Sequence, residues 1–468
     1  MKKTLLAFSG ILLALVLSFS ITVGLRYSQF SAITEAQALT EEELFSLNEE
    51  LAEAYPSNFS ILKKLPYTIP EPSLDVYAKS AILIDVSNGN ILYEKNADEV
   101  IPPASMTKLF AMYIVDEEVA AGNLYYDQLI PLPPEAWACN MPPHSSLMFL
   151  GEGQRVTLEE LLLGLSICSG NDAAYALAYT ICGNMEAFVE RMNLVASDFG
   201  LIHTHFVESS GYSEQNTTTA REMASFCREY LKRHPQSLAR FHAVPSFTYP
   251  KEHNLAPGDR LASQDFSKGL PSHITMSITQ TNTNPLLGRL EGCDGLKTGY
   301  IEESGYNLSL TAKRGNTRYL SVTMRGPGSS PAEGQAGRVH DGKTLMDWAF
   351  YSFADYSIAD YIHPYMVKVL ASKQKALNLI PALSEKTLTA PFISGSSLEE
   401  NLTKIAVDVQ LPLYVNGIIE QGQVLGNIRI TLDGYVLQEI PLIADRSTQK
   451  ASLFVSLADK VLGAITLK

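Results

Sequence analysis

In the stretch Pro103-Ala104-Ser105-Met106-Thr107-Lys108, the proline ends an extended segment and a helical pattern starts at Ser105. Residues i and i+3 share one face of a helix, so the amine of Lys108 can reach the hydroxyl of Ser105. A serine hydroxyl is a weak nucleophile and needs an adjacent base. A lysine can be that base where burial or a nearby cation disfavours its ammonium form. Alone the motif is weak, because a helix-capping serine followed by a solvated lysine gives the same letters.

Two further short motifs follow along the chain. Ser169-Gly170-Asn171 places a hydroxyl and a carboxamide two residues apart, and on a loop both can point into one cleft. Lys297-Thr298-Gly299-Tyr300 precedes a turn and a strand. On an edge strand the lysine and threonine offer a cation and a hydroxyl to a carboxylate, and the glycine lets a substrate approach the backbone closely. The backbone N–H of Tyr300 can supply half of an oxyanion hole.

The three motifs together are far more specific than any one of them. They occur in the order Ser-x-x-Lys, Ser-x-Asn, Lys-Thr-Gly, a trio typical of β-lactamases and penicillin-binding proteins. Over about residues 70–360 the sequence resembles the low-molecular-mass penicillin-binding proteins, which are serine-type D-alanyl-D-alanine carboxypeptidases of the β-lactamase/transpeptidase-like superfamily. The segments that carry the resemblance are 103–108, 211–212, 219–223, 282–287, 294–300 and 304–306.

The resemblance implies three catalytic residues. Ser105 would attack the carbonyl carbon of the penultimate D-alanine and form an acyl-enzyme, while Lys108 takes the hydroxyl proton. Ser169 would relay a proton to the nitrogen of the departing D-alanine. We also expect Lys297 to lower the pKa of Lys108 by repulsion between like charges.

The same resemblance implies a set of substrate-binding residues. Asn171 would bond the peptide amide, and Lys297 with Thr298 would hold the terminal carboxylate. The N–H groups of Ser105 and Tyr300 would stabilise the oxyanion, and Gly299 would let the substrate lie close to the strand. The expected partners are peptidoglycan stem peptides that end in D-Ala-D-Ala and β-lactam antibiotics that inhibit covalently. No metal or organic cofactor is expected.

Three other functions stay open on sequence grounds. A class A β-lactamase needs a glutamate that activates the deacylating water; Glu208 lies at a suitable sequence distance, but its surroundings in 206–211 resemble those of the carboxypeptidases. A D,D-endopeptidase that cuts peptidoglycan crosslinks would carry the same motifs. A non-catalytic wall-binding module on this fold would be expected to lose Ser105, Lys108 or Ser169.

The chain of 468 residues is too long for one ordinary domain. Strand patterns at 81–85, 91–93 and 306–324 bracket a helical middle, which predicts an α/β (α+β) domain with an antiparallel sheet flanked by helices. Alternating apolar residues at 405–411 and 428–432, with Asp433-Gly434 after them, predict a C-terminal mostly-β domain. We expect these domains at 66–362 and 363–468, after a helical or linker segment at 31–65.

The N-terminus predicts export. Lys2 and Lys3 precede a run without charges at 4–25, so residues 1–30 are expected to be a signal peptide or a membrane anchor. Ala36-Gln37-Ala38 fits a cleavage site but lies far downstream. Because positive charges stay inside, the body of the protein is expected on the outer face of the cytoplasmic membrane, in the periplasm or cell envelope. The net charge of −14 argues against nucleic-acid binding.

Other features have structural interpretations. The five cysteines show no Cys-x-x-Cys pair, and we expect buried thiols rather than disulfides, although Cys168 and Cys293 flank two motifs. His203 and His205 lack a nearby third ligand, so packing or surface roles are expected. From residue 452 the sequence predicts an amphipathic helix that packs on the β domain, with Phe454 and Ile465 on its apolar face and Asp459 on its polar face. The alternative is that this helix lies on a membrane.

Overall fold

The computed structural model describes residues 2–256, 260–261, 274–392 and 397–466. The α-helices in this part of the chain are α1 (Lys2–Ala32), α2 (Glu41–Ala54), α3 (Pro56–Phe59), α4 (Lys108–Ala120), α5 (Leu158–Leu163), α6 (Asn171–Cys182), α7 (Met185–Asp198), α8 (Ala220–Arg233), α9 (Pro331–Ser352), α10 (Leu398–Thr403) and α11 (Leu453–Thr466). The chain forms two compact units, which we call the central unit (Pro70–Ala354) and the terminal unit (1–69 with 355–468). The domain limits at 66 and 363 remain predictions.

The β-strands are short except in the two main sheets. They are β1 (Lys63–Lys64), β2 (Ser80–Asp85), β3 (Asn90–Lys95), β4 (Leu129–Ile130), β5 (Val156–Thr157), β6 (Ser246–Tyr249), β7 (Arg260–Leu261), β8 (Ile274–Thr275), β9 (Ile278–Thr281), β10 (Cys293–Ile301), β11 (Gly305–Arg314), β12 (Thr317–Gly326), β13 (Phe353–Ser357), β14 (Tyr365–Leu370), β15 (Ala376–Pro381), β16 (Thr387–Pro391), β17 (Ile405–Gln410), β18 (Val415–Asn416), β19 (Val424–Leu432) and β20 (Tyr435–Ala444).

The central unit is built on an antiparallel sheet with the strand order β3-β2-β12-β11-β10. Every residue of β2 is buried, so both faces of the sheet are covered. Helix α8 contacts β2 and β12, and α9 contacts β11 and β12. The predicted α+β architecture is therefore confirmed. Its sheet places β10 against the short 3-10 helix Ala104–Thr107 that leads into α4.

The terminal unit contains a six-stranded sheet with the order β17-β19-β20-β15-β14-β18. Neighbours are antiparallel except β14 and β18, which run parallel. The alternating residues of β17 and β19 behave as predicted, because Ile428 and Ile430 are fully buried in the core of this unit. Asp433 and Gly434 both have positive φ angles, 50° and 83°, as a tight hairpin turn requires. The predicted C-terminal β-rich domain is confirmed.

The acidic segment before the central unit is a helix of the terminal unit. Thr40 caps α2, accepting from the N–H of Glu43 while the Glu43 carboxylate accepts from the N–H of Thr40. Leu47 and Leu51 of this helix are buried against Ala382 and other apolar residues of the β sheet region. This segment is therefore part of a folded core.

The predicted amphipathic tail forms α11, but Asp459 and Ile465 were assigned to the wrong faces. Asp459, assigned to the polar face, is fully buried, whereas Ile465, assigned to the packing face, is 71% exposed. The helix contacts β14 and also α1 from the opposite end of the chain. Asp459 lies on the buried face because it forms an ion pair with Arg26 of α1. The sequence around Asp459 could not reveal this partner.

Candidate active site

The turn that carries Ser105 is held in a strained conformation by tightly packed neighbours. Ala104 has a φ of 50°, a left-handed value that costs energy for a residue with a Cβ. Asn307 on β11 donates from Nδ2 to the carbonyl oxygens of Pro102 (3.0 Å) and Pro103 (3.3 Å). A Cβ on Gly211 would lie 1.8 Å from the Ala104 carbonyl oxygen. These contacts fix the turn and leave the Ser105 side chain at the surface of a cleft.

Lys108 lies one turn after Ser105, and its amine contacts the serine hydroxyl. The distance from Nζ to Ser105 Oγ is 3.0 Å. The same Nζ donates to Asn171 Oδ1 (2.8 Å) and to the Ser210 carbonyl oxygen (2.5 Å). The predicted proximity of Ser105 and Lys108 is thus present in the structure, and Asn171 from the second motif joins them.

Burial lowers the pKa of Lys108 to about 7, although Glu208 and Asp172 act in the opposite direction. Water cannot solvate the ammonium form there, so the neutral amine becomes accessible near neutral pH. Burial is therefore the largest cause, and the repulsion that we expected between Lys297 and Lys108 appears in the lowered pKa of Lys297. The pKa of Lys297 itself is held well below its usual range, first by burial and then by the positive charges of Lys108 and Arg338.

Ser169 lies at the junction between two helical segments and faces the third motif. The residue has a φ of 57° and follows the π-helical segment Gly164–Cys168, directly before α6. Lys297 on β10 donates from Nζ to Ser169 Oγ at 3.0 Å. Both side chains are almost completely buried. The second motif therefore connects to both lysines, through Asn171 to Lys108 and through Ser169 to Lys297.

Strand β10 lies close to the turn that carries Ser105, and Gly299 makes this approach possible. A Cβ at this position would lie 2.5 Å from the Pro103 carbonyl oxygen and 3.2 Å from the Ala104 Cβ. We expected the missing Cβ to make room for substrate; in the structure it makes room for the turn that carries Ser105. Thr298 is 5% exposed, and its hydroxyl donates to Thr283 Oγ1 at 2.8 Å.

An open cleft of about 640 Å³ joins residues of all three motifs. Ser105, Asn171 and Tyr300 line it, so a bound molecule can touch all three. The side chain of Tyr300 is half exposed and contacts the ring of Tyr306, with 4.4 Å between the ring centroids. The other lining residues are His144, Ser146, Gly211, Tyr212, Ser213, Glu214, Gln215, Ile301, Glu302 and Glu303.

Glu208 is the residue that a β-lactamase would use to activate water. In this structure its carboxylate forms hydrogen bonds within its own loop. Its carboxylate accepts from the N–H groups of Ser210 (2.7 Å) and Gly211 (2.6 Å) and from Asn216 Nδ2 (3.0 Å). The carbonyl of Ser210 in this loop in turn accepts from Lys108. Glu208 therefore shapes the surroundings of Lys108, and its lone pairs are engaged in structural hydrogen bonds.

Sequence reasoning missed several residues that support the site. Asp172, next to Asn171, accepts from the N–H groups of Met148, Phe149 and Leu150 and so holds one wall of the cleft. Arg338 on α9 donates to the carbonyl oxygens of Gly299 (2.5 Å) and Asn307 (3.1 Å). No local signal marks Arg338, because it lies 31 and 39 residues from these two partners along the chain.

The cysteine and histidine residues near the motifs have surroundings typical of residues with a structural role. Burial raises the pKa of the Cys168 thiol to about 12 and that of Cys293 to about 11, which disfavours the reactive thiolate. His203 Nδ1 lies 2.8 Å from Glu222 Oε1, and the backbone of His205 pairs with Thr217. In the described residues no three His, Cys, Asp or Glu side chains converge as metal ligands.

The sequence matches the peptidase S11 family, described as D-alanyl-D-alanine carboxypeptidase, over residues 67–328. It is 30% identical over 388 residues to D-alanyl-D-alanine carboxypeptidase DacF of Bacillus subtilis, covering 82% of this chain and 89% of that protein. It is 29% identical over 410 residues to DacA of Escherichia coli K12, covering 83% of this chain and 88% of that protein.

Two solved structures are similar in fold. Penicillin binding protein 5 from Haemophilus influenzae aligns with a TM-score of 0.65 and 26% identity, over 82% of this chain and all of that chain. Penicillin binding protein 6B from Escherichia coli aligns with a TM-score of 0.61 and 26% identity, over 81% of this chain and 98% of that chain. Both alignments extend beyond the central unit, since that unit spans residues 70–354.

Proposed function

Because the chain belongs to the peptidase S11 family of D-alanyl-D-alanine carboxypeptidases, we propose a role for each residue of its cleft. The protein is a serine-type D-Ala-D-Ala carboxypeptidase and a low-molecular-mass penicillin-binding protein. Its reaction removes the terminal D-alanine from peptidoglycan pentapeptides. The observation that carries the assignment of residues is the 3.0 Å contact between the Ser105 hydroxyl and the fully buried amine of Lys108.

Acylation begins at Ser105. Its Oγ attacks the carbonyl carbon of the penultimate D-alanine, and the hydroxyl proton passes to neutral Lys108 Nζ. A pKa of about 7 leaves a large neutral fraction at neutral pH, as an efficient general base requires. The negative charge that forms on the carbonyl oxygen is stabilised by the backbone N–H groups of Ser105 and Tyr300.

The leaving group then departs and water completes the reaction. The bond between the carbonyl carbon and the nitrogen of the terminal D-alanine breaks, and that nitrogen takes, through Ser169, the proton that Lys108 had accepted, so Lys108 is neutral again. Ser169 Oγ lies 3.0 Å from Lys297 Nζ. A water molecule then attacks the carbonyl carbon of the resulting ester and gives a proton to Lys108, which passes it to Ser105 Oγ as the bond between Oγ and the shortened peptide breaks. Ser105 recovers its hydroxyl proton, so the enzyme returns to its initial state.

The substrate is held by its carboxylate and by its peptide amide. Lys297 and Thr298 bind the terminal carboxylate, and the negative charge beside Lys297 favours its ammonium form, which burial disfavours in the absence of an anion. Asn171 bonds the peptide amide with its carboxamide. β-Lactams use the same groups, since they carry a carboxylate beside a reactive amide, and they form a covalent adduct on Ser105.

The protein acts on the outer face of the cytoplasmic membrane. The support is α1, whose residues Phe8–Ala32 are long and apolar enough to cross a bilayer, with a mean hydropathy of 2.2. Lys2 and Lys3 precede this segment, and positive charges keep the N-terminus inside while the rest of the chain is exported. There the enzyme meets peptidoglycan stem peptides as they are assembled.

The test uses the purified protein and the peptide diacetyl-Lys-D-Ala-D-Ala, with released D-alanine as the readout. We expect one D-alanine per peptide, no release after incubation with penicillin, and neither release nor a penicillin adduct for Ser105→Ala. A penicillin adduct on Ser105→Ala would contradict the nucleophile assignment. An adduct without D-alanine release would favour an endopeptidase, and neither adduct nor release would favour a wall-binding module.

A further inference from the structure

The first part of α1 exposes a continuous apolar surface. Residues 4–25 carry no charge, and as a helix they are about 33 Å long, close to the thickness of a bilayer core of about 30 Å. From Phe8 onward the large side chains of this segment are mostly exposed, for example Phe8 at 75% and Ile11 at 62%. The flanking charges are Lys2 and Lys3 at one end and Arg26 at the other. This surface fits the hydrocarbon of a membrane.

One face of the last part of α1, formed by Arg26 and Phe30, is buried in the terminal unit. Arg26 is 7% exposed, and its Nε donates to Asp459 Oδ1 of α11 at 2.7 Å. Asp459 is fully buried and also accepts from the N–H of Ala371 at 2.9 Å. A buried carboxylate that loses its cation is strongly destabilising, because no water replaces the lost partner. The folded terminal unit therefore depends on Arg26.

Apolar packing and a backbone contact hold the same end of α1. Phe30 belongs to a buried cluster with Leu370 of β14 and Leu462 of α11. The carbonyl oxygen of Phe30 accepts from Lys368 Nζ at 2.6 Å. A leader peptide that is discarded has no need to complete the core of the mature protein.

Helix α11 runs parallel to α1 and carries apolar side chains that the protein leaves uncovered. Phe19 and Phe454 form an edge-to-face contact with 5.6 Å between ring centroids. Since Phe19 precedes Arg26 by two helical turns, Phe454 lies beside the apolar span, about 10 Å from the ion pair. Leu453, at the start of α11, is 78% exposed. The start of α11 thus extends the apolar surface of α1.

We propose that α1 is a permanent membrane anchor, paired in the outer leaflet with the start of α11 through the Arg26–Asp459 ion pair. The inference rests on the proposed location at the outer membrane face. The ion pair lies where α1 leaves the bilayer, and α11 inserts Leu453 and Phe454 beside it. Cleavage after Ala38 would remove Arg26 and Phe30 and leave Asp459 buried without its cation.

The first experiment measures the fate of α1 in the full chain expressed in Escherichia coli. Membranes are washed with alkaline carbonate, which extracts peripheral proteins, and the retained protein is analysed by intact mass. We expect the complete chain in the washed membrane. Membrane-bound protein that starts beyond Ala38, or a complete chain that carbonate extracts, would overturn the anchor. Protein found only in the cytosol would instead contradict the proposed location.

The second experiment tests the pairing of the two helices. Phe19→Cys with Phe454→Cys is treated in intact membranes with a short thiol crosslinker, and linked peptides are identified by mass spectrometry. The matched control is Leu12→Cys with Phe454→Cys, because Leu12 lies two further turns along α1 and is 57% exposed. We expect a crosslink for the first pair and at least about tenfold less for the control. Equal yields, or none for the first pair, would contradict the pairing.

Discussion

Two buried positive charges in this molecule have opposite surroundings. Lys108 in the central unit donates to a hydroxyl, a carboxamide and a carbonyl, whereas Arg26 in the terminal unit donates to the carboxylate of Asp459. Among the described residues neither Lys108 nor Lys297 forms an ion pair with a carboxylate. A buried cation without a counter-charge tends to lose its proton and can act as a base. A buried cation with one stays charged, and removing either partner of the pair destabilises the fold.

The largest expected loss of acylation rate comes from Lys108→Arg, which replaces the buried amine with a group that stays charged. Lys108→Arg keeps a cation beside Ser105 but removes the base, because a guanidinium does not lose its proton. We expect the rate of acylation by penicillin to fall about 10²- to 10⁴-fold, the usual contribution of a general base. Stopped-flow measurement of acyl-enzyme formation checks this.

A second lysine in the same unit provides the control for that variant. Lys95 also donates to backbone carbonyls, those of Val76 (2.7 Å) and Ala78 (2.9 Å), but lies on β3 outside the cleft. Lys95→Arg is expected to acylate at the wild-type rate. If Lys108→Arg, folded as judged by thermal unfolding, acylated as fast as Lys95→Arg, Lys108 would not be the base.

A smaller loss of acylation rate is expected from Gly299→Ala, which changes the contact between β10 and the turn that carries Ser105. The Cβ of Gly299→Ala would meet the Pro103 carbonyl oxygen at 2.5 Å and push the strand away from Ser105. A displacement of about 1 Å costs on the order of 10²-fold in rate. We expect acylation to slow by about that factor. Gly337→Ala on α9 is the control, since its Cβ would meet only the Pro327 carbonyl oxygen at 3.6 Å and should leave the rate unchanged.

The smallest expected effect on catalysis comes from the ion pair of the terminal unit. Asp459→Asn leaves the three motifs intact, so D-alanine release should stay within about twofold of wild type. The unfolding midpoint should fall by several degrees, because breaking a buried pair costs about 3–5 kcal/mol. Glu439→Gln, which breaks the half-exposed pair with Arg429, should change the midpoint little. Equal midpoints for the two variants would show that burial does not strengthen the inner pair.

The sequence predicted correctly those features that depend on residues close together along the chain. The turn at Asp433-Gly434 appears as expected, because it depends on neighbouring residues. The three motifs predicted the proximity of Ser105 to Lys108, since both lie on one helical turn.

The sequence could not reveal features that depend on contacts between residues far apart along the chain. Asp459 was assigned to an exposed face because its partner lies 433 residues away. The true reason for Gly299 appears only when β10 meets the turn before Ser105. That burial is the largest cause of the lowered pKa of Lys108 could also not be read from the sequence, because complete burial of a lysine on an otherwise ordinary helix is a property of the folded interior.

The pH dependence of acylation tests the central claim that Ser105 is activated by a neutral Lys108. The neutral amine is lost as the pH falls through the pKa of about 7. The rate constant for penicillin acylation should therefore be level at higher pH and fall about tenfold per pH unit below that value. A rate constant that stays unchanged between about pH 5 and pH 9 would contradict the account, because it would mean that no group with this pKa takes the serine proton.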